Sequence, residues 1–201
     1  MFLPIDGKVW CDNCEVGHTT YVIVDPANQH ITDIVVLLTV DQTQRLVPLG
    51  WIQQTKPDSV YLKCSQQMLA EQPRFAIRKL ICVPNIHYSE QDGPVRNLFT
   101  FYASRDVEEH VPDGELAIHI GAKIHAADGR LGTISEFIVD ENDQITHAVL
   151  DESHWYGTLH SLIPIDAVDY IHEDRLVLKL TKDDVAHLPH RRSIRALQSE
   201  P

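Results

Sequence analysis

Gly132-Thr133-Ile134-Ser135-Glu136-Phe137-Ile138-Val139-Asp140-Glu141-Asn142-Asp143-Gln144-Ile145-Thr146-His147-Ala148-Val149-Leu150 is the stretch on which the fold turns. Its first part alternates, Asn142-Asp143 supplies a turn, and residues 146–150 return as a second strand. The stretch occurs twice. Val22-Ile23-Val24-Asp25-Pro26-Ala27-Asn28-Gln29 lines up with residues 137–144, His30 reads as an extra residue, and residues 31–36 meet 145–150. Upstream, Lys8-Val9 matches Lys123-Ile124 and Gly17 matches Gly132. Downstream, Leu46-Val47-Pro48-Leu49 meets Leu162-Ile163-Pro164-Ile165, and residues 58–63 meet 174–179. Pro73 and Pro189 close the two copies.

A unit of about 68 residues, at about 6–73 and 121–189, is therefore expected twice. Each copy reads as five or six short strands between turns, the pattern of a small barrel. Asp128-Gly129 signals a further hairpin, and Thr181 stands as N-cap before a helix start with acids in its first turn. If the copies share a fold, Ile23, Val24, Val35 and Leu62 occupy the same core positions as Ile138, Val139, Val149 and Leu178.

Gly121-Ala122-Lys123-Ile124, Asp128-Gly129-Arg130-Leu131-Gly132 and Ile145-Thr146-His147-Ala148-Val149-Leu150 carry a resemblance. With Ile163-Pro164 and the closing strand, they resemble the PRC-barrel family. That family includes the cytoplasmic domain of the reaction-centre H subunit and the C-terminal domain of a ribosome maturation factor. His154-Trp155-Tyr156-Gly157 before Ile163-Pro164 is similar to stand-alone bacterial members carrying the barrel in tandem. The resemblance implies an all-β chain of two tandem PRC-type barrels with pseudo-two-fold symmetry and short helices after the last strands. The expected divisions are a first barrel at 1–73, a packed linker with a mobile middle at 74–114, a second barrel at 115–190 and a basic tail at 191–201. A barrel of this size barely stabilises itself, so the two are expected to pack together. Linker residues Phe75, Ile77, Leu80, Ile81 and Val83 are apolar enough to help.

Composition narrows the function. The 201 residues are 43% hydrophobic and 23% charged, enough to bury a core. Seventeen basic against twenty-nine acidic residues give a net charge of −12, which argues against nucleic acid as a partner. The second half holds most of that charge, with 9 basic and 19 acidic side chains. The N-terminus lacks a secretory pattern, and the longest apolar run, Ile34-Val35-Val36-Leu37-Leu38, is far short of a membrane span. A cytoplasmic protein with reduced thiols and no membrane insertion is expected.

Cys11-Asp12-Asn13-Cys14 is the sharpest chemical motif. Two thiolates can bite one zinc, with Cys64, Cys82 or His18 completing the site if the fold brings them near. The other copy has Ala126 and Gly129 at the two positions, so the motif belongs on a hairpin turn, where buried or turn-lining thiols are the simpler reading. His147, His154 and His160 gather around one loop, and His187 and His190 are separated by Pro189. Acid pairs such as Asp140-Glu141, Asp151-Glu152 and Asp183-Asp184 fall at turns and a helix start rather than in a pocket.

No phosphate-cradling loop or nucleophile elbow occurs. The expectation is thus a non-enzymatic scaffold or adaptor, without cofactor, that assembles proteins. Its contact loop is expected to hold Trp155 and Tyr156 as aromatic anchors beside Asp151 and Glu152, facing a protein partner or a second copy of the chain. Two alternatives stand beside it: a metal- or redox-responsive module on Cys11 and Cys14, and a ribosome-associated assembly factor.

Overall fold

The computed structural model describes residues 1–84, 101–119, 121–154 and 157–192. Among the described residues, three sheets hold nearly all of the regular structure. In chain order the strands are β1 (Phe2–Pro4), β2 (Lys8–Cys11), β3 (Cys14–Asp25), β4 (His30–Leu38), β5 (Gln44–Pro48), β6 (Ile52–Lys56), β7 (Ser59–Leu62), β8 (Ala76–Pro84) and β9 (Phe101–Glu109). They continue as β10 (Leu116–His119), β11 (Lys123–Ala126), β12 (Gly129–Val139), β13 (Ile145–His154), β14 (Gly157–Pro164), β15 (Val168–His172), β16 (Arg175–Leu178) and β17 (His190–Arg192). Two short helices, α1 (Gln66–Ala70) and α2 (Lys182–Ala186), follow β7 and β16.

The first sheet runs β5-β4-β3-β2-β7-β6 and the second β15-β16-β11-β12-β13-β14-β17. Read from β6 and β15, the first six strands follow the same order in both. In each, one pair is parallel: β2 with β7, and β11 with β16. That pairing brings together segments about fifty residues apart in sequence. α1 is capped by Ser65, whose side chain accepts from Met68 N. The expected N-cap Thr181 heads α2 and forms a reciprocal capping box with Asp184. Each helix drops one apolar residue, Leu69 or Val185, into the core.

Sheet membership cuts across the divisions expected at 73 and 115. β1 leaves its own copy and pairs with β12, setting Leu3 opposite Phe137. β10 does the reverse and pairs with β3, setting Ile118 opposite Val22. The sequence match begins only at Lys8, so these short lead strands were hidden. Their backbone groups complete the other copy's ladder, and Leu3 and Ile118 are fully buried. The turns after β3 and β12 also meet reciprocally. Ile31 N donates to Asp143 O at 3.1 Å and Ile145 N to Gln29 O at 2.9 Å. Gln29 and Asp143 both have positive φ, 57° and 63°, so these two correspond. The extra residue of the first copy therefore lies before Gln29 and is not His30.

One continuous apolar core draws on both sheets, including Val24, Ile34, Leu62, Phe137, Leu150 and Leu178. Val24 and Leu62 share it with Val139 and Leu178 as expected. Ile23 and Val35 do not. They form a second cluster with Phe75 and Ala117, while Ile138 is only half-buried and Val149 is buried. Neighbouring residues of a strand face opposite sides, so Ile23 and Val24 cannot share one core. β10 extends the first sheet beside β3 and contributes Ala117 to this cluster, and Phe75 packs against it with its ring 4.8 Å from that of Tyr21.

The linker is a two-stranded ribbon, β8 against β9, in register from Ala76 opposite Glu109 to Pro84 opposite Phe101. Phe75 and the half-buried Val111 anchor its base. The middle expected to be mobile falls at 85–100, outside the described residues.

Candidate functional site

Trp155 and Tyr156, the expected aromatic anchors, lie outside the described residues. The strands on either side of them pair in register from His147 opposite Pro164 to His154 opposite Gly157. Glu152 lies in that ladder opposite Leu159. Asp151 is no free rim charge: its carboxylate faces His160 Nδ1 across β13 and β14, and both side chains are largely buried. Two further histidines of this sheet, His190 and His147, are hydrogen-bonded. His190 Nδ1 meets the buried Ser161 Oγ at 3.0 Å, and its Nε2 meets Ala186 O at 3.0 Å. His147 Nδ1 meets Thr146 Oγ1 at 3.1 Å.

Cys11 and Cys14 are directly opposed across the β2–β3 hairpin. Asp12 and Asn13 hold φ of 49° and 62°, the left-handed pair that a two-residue turn requires. The turn separates the fates of the thiols, with Cys11 buried and Cys14 exposed. The partner of Cys11 is instead Cys64, just beyond β7, with Sγ atoms 3.7 Å apart. Cys11 Sγ donates to the Cys64 carbonyl at 2.5 Å. Burial first, then the Cys64 hydrogen bond, pushes the Cys11 thiol up to about 12. Burial raises the Cys64 thiol as well. Both are held as neutral, poorly nucleophilic groups. Among the described residues no three His, Cys, Asp or Glu side chains are placed to hold a metal ion. The side chain of Cys82 lies outside those described.

Asp140-Glu141 and Asp183-Asp184 fall at a turn and a helix start as expected, whereas Asp151-Glu152 lies inside β13, in the ladder with β14 and not at a turn. Asp140 accepts from the backbone N–H of Asn142 and Gln144, and these bonds hold its carboxyl below the usual range. Asp184 is held low in the same way by the hydroxyl and backbone N–H of Thr181.

Two cavities lie on corresponding outer faces of the sheets. The parallel pairs set Trp10 beside Tyr61 and, in the other sheet, His125 beside Val177. They also set Lys8 beside Ser59, and Lys123 beside Arg175. The intervening residues, Val9, Cys11, Val60 and Leu62 or Ile124, Ala126, Leu176 and Leu178, all point into the core. On the first face the Trp10 and Tyr61 rings stack at 6.1 Å, and Lys56 Nζ lies 4.7 Å from the Tyr61 centroid. A cavity of about 390 Å³ opens there, lined by Trp10, Asn13, Gln53, Tyr61, Cys64 and Met68 among others. Lys8 is neutralised by Glu15 at 3.0 Å. On the second face a cavity of about 290 Å³ is lined by Lys123, His125, Arg130, Asp174 and Arg175. No sequence motif marks either face. The only local signal was strand alternation, which puts Lys123 and His125 on one side.

This arrangement defines a class: an all-β chain whose two large, mostly antiparallel sheets each contain one parallel pair and bear a short helix. Residues 120–185, from the lead into β11 through most of α2, match the PRC-barrel domain. No curated protein matches the chain.

Proposed function

We propose that the chain is a tandem pair of PRC-type barrels acting in the cytoplasm as a non-catalytic adaptor that binds another protein. The observation that carries the reading is the divergence of two corresponding faces over similar apolar floors. Packing constrains the inner residues of β2, β7, β11 and β16 alike. It does not demand Trp10 and Tyr61 on one outer face and cations on the other. Outer faces that differ while the scaffold repeats suit a module that works by what it displays. The aromatic face is the better protein anchor, since Trp and Tyr bury large area with little loss of side-chain freedom. Among the described residues no helix is long and apolar enough to cross a membrane.

The test starts from photocrosslinking through a benzoylphenylalanine at Tyr61 in native extract. The captured protein, once purified, is expected to bind the chain with defined stoichiometry. Tyr61→Ala, with an unchanged melting temperature, should weaken that binding at least tenfold, as expected when a hot-spot ring is removed. Trp10→Ala serves as a second variant. Binding that neither change touches, or no saturable partner, overturns the reading.

A further inference from the structure

The second face holds a concentration of positive charge that the rest of the chain does not prepare for. Between residues 101 and 190 the only Lys and Arg are Arg105, Lys123, Arg130, Arg175, Lys179 and Lys182. Three of them, with His125, converge on the cavity of about 290 Å³. The convergence follows from register: Lys123 lies directly opposite Arg175 across the parallel pair, and His125 opposite Arg130 across the antiparallel one. On the corresponding first face the same positions hold Lys8, Ser59, Trp10 and Glu15. There the one cation is paired with the one acid.

Like charges directly opposite across strands disfavour the fold. Among the described residues, the Lys123, His125 and Arg130 side chains have no hydrogen bond or ion pair. The one acid of the cavity, Asp174, does not fill it. Its Oδ1 accepts from Arg175 Nε at 3.1 Å and meets His172 Nδ1 at 2.9 Å. The first contact orients the guanidinium and leaves its terminal nitrogens for another acceptor. Beneath the cations, β11 is hydrogen-bonded on both sides and its inner residues are buried, so their Cα positions are rigidly spaced.

We propose that this cavity binds a phosphate monoester dianion. Arg130 and Arg175 would grip its oxygens as planar forks, Lys123 would add a point charge, and His125 would add a ring N–H. A dianion relieves the repulsion among the cations and fits a shallow site of this volume. The assignment is independent of the adaptor reading, because phosphate binding here needs no protein partner.

The experiment titrates the whole chain with sodium phosphate at constant ionic strength, following backbone amide shifts. Phosphoserine and a phosphoserine peptide are separate arms that distinguish a free phosphate from a phosphorylated protein. Saturable shifts confined to residues 123–126, 129–131 and 174–177 are expected in at least one arm. Arg130→Gln and Lys123→Gln should each weaken binding at least fivefold, whereas Lys179→Gln, which removes a cation outside the cavity, should not. Failure of saturation in every arm overturns the proposal. So do shifts spread over the whole surface, equal shifts with sodium chloride, or equal losses in Lys179→Gln. Arg130→Gln, whose site is exposed, guards against a variant that merely misfolds, and its melting temperature without phosphate should be no lower than the wild type's.

Discussion

Replacing Gly132 by Ala asks one methyl group to occupy space already taken by the neighbouring strand. An ideal Cβ there would lie 2.2 Å from Asp151 O and 2.9 Å from Leu150 Cδ1. At Gly17, the matching position, it would lie 2.0 Å from Leu37 O and 2.9 Å from Leu37 C. Both glycines follow an irregularity in the ladder of β3 or β12, the kind of feature that increases local strand twist. The nearest obstructing atom in each case is a backbone carbonyl oxygen, so relief requires a strand shift of about 1 Å rather than a rotamer change. Overpacking of this kind costs roughly 1–3 kcal/mol, and a weakened ladder hydrogen bond adds about 1. Reduced freedom of the unfolded chain returns roughly 0.4–1 kcal/mol. A net loss of about 2 kcal/mol is expected for either variant, which lowers the melting temperature by roughly 4–8 °C in a chain of this size. Gly50→Ala is the control, because no heavy atom lies within 4 Å of its Cβ position. Calorimetry on the three variants decides the matter. If Gly17→Ala and Gly132→Ala both melt within about 1 °C of the wild type, the tight approach of the strands is refuted.

Iodoacetamide at mildly alkaline pH should modify Cys14 promptly and leave Cys11 and Cys64 intact until denaturant is added; peptide mapping that finds Cys11 alkylated as fast as Cys14 would contradict its burial and raised thiol. Asp140 has a lowered folded-state value, so its contribution to stability is present above the ordinary 3.8 and is lost as pH falls through the folded value. Asp140→Asn should therefore lower the urea midpoint near neutrality and lose that difference in strong acid; a difference that persists unchanged in strong acid rules out the carboxylate as its source. Thr181→Ala removes the capping box of α2 and should cost about 1 kcal/mol in urea unfolding, with Ser65→Ala costing a similar amount at α1. If neither variant shifts the midpoint, these short helices gain their stability from Leu69 and Val185 alone.

What could be read locally was set by local physics. The strand through residues 132–139, the turn at Asn142-Asp143 and the cap at Thr181 each depend on residues a few positions apart, and all three are observed, although a register shift between Ile134 and Glu136 breaks the strand's alternation. The spacing of the two matching stretches carried the correspondence of strand order. Tertiary pairing decided the rest. No pattern in Phe2-Leu3-Pro4 reveals that it will complete the ladder of β12 more than a hundred residues away. Ile23 and Val24 are equally apolar, and only the cover supplied by Phe75 and Ala117 gives Ile23 a core of its own. Cys11 looked paired with Cys14 because they are near in sequence, yet the parallel strand β7 delivers Cys64 to within 3.7 Å. Arg175 joins Lys123 and Arg130 on one charged face for the same reason. A parallel register joins segments through backbone hydrogen bonds that carry no side-chain signature, so nothing in either segment names its partner.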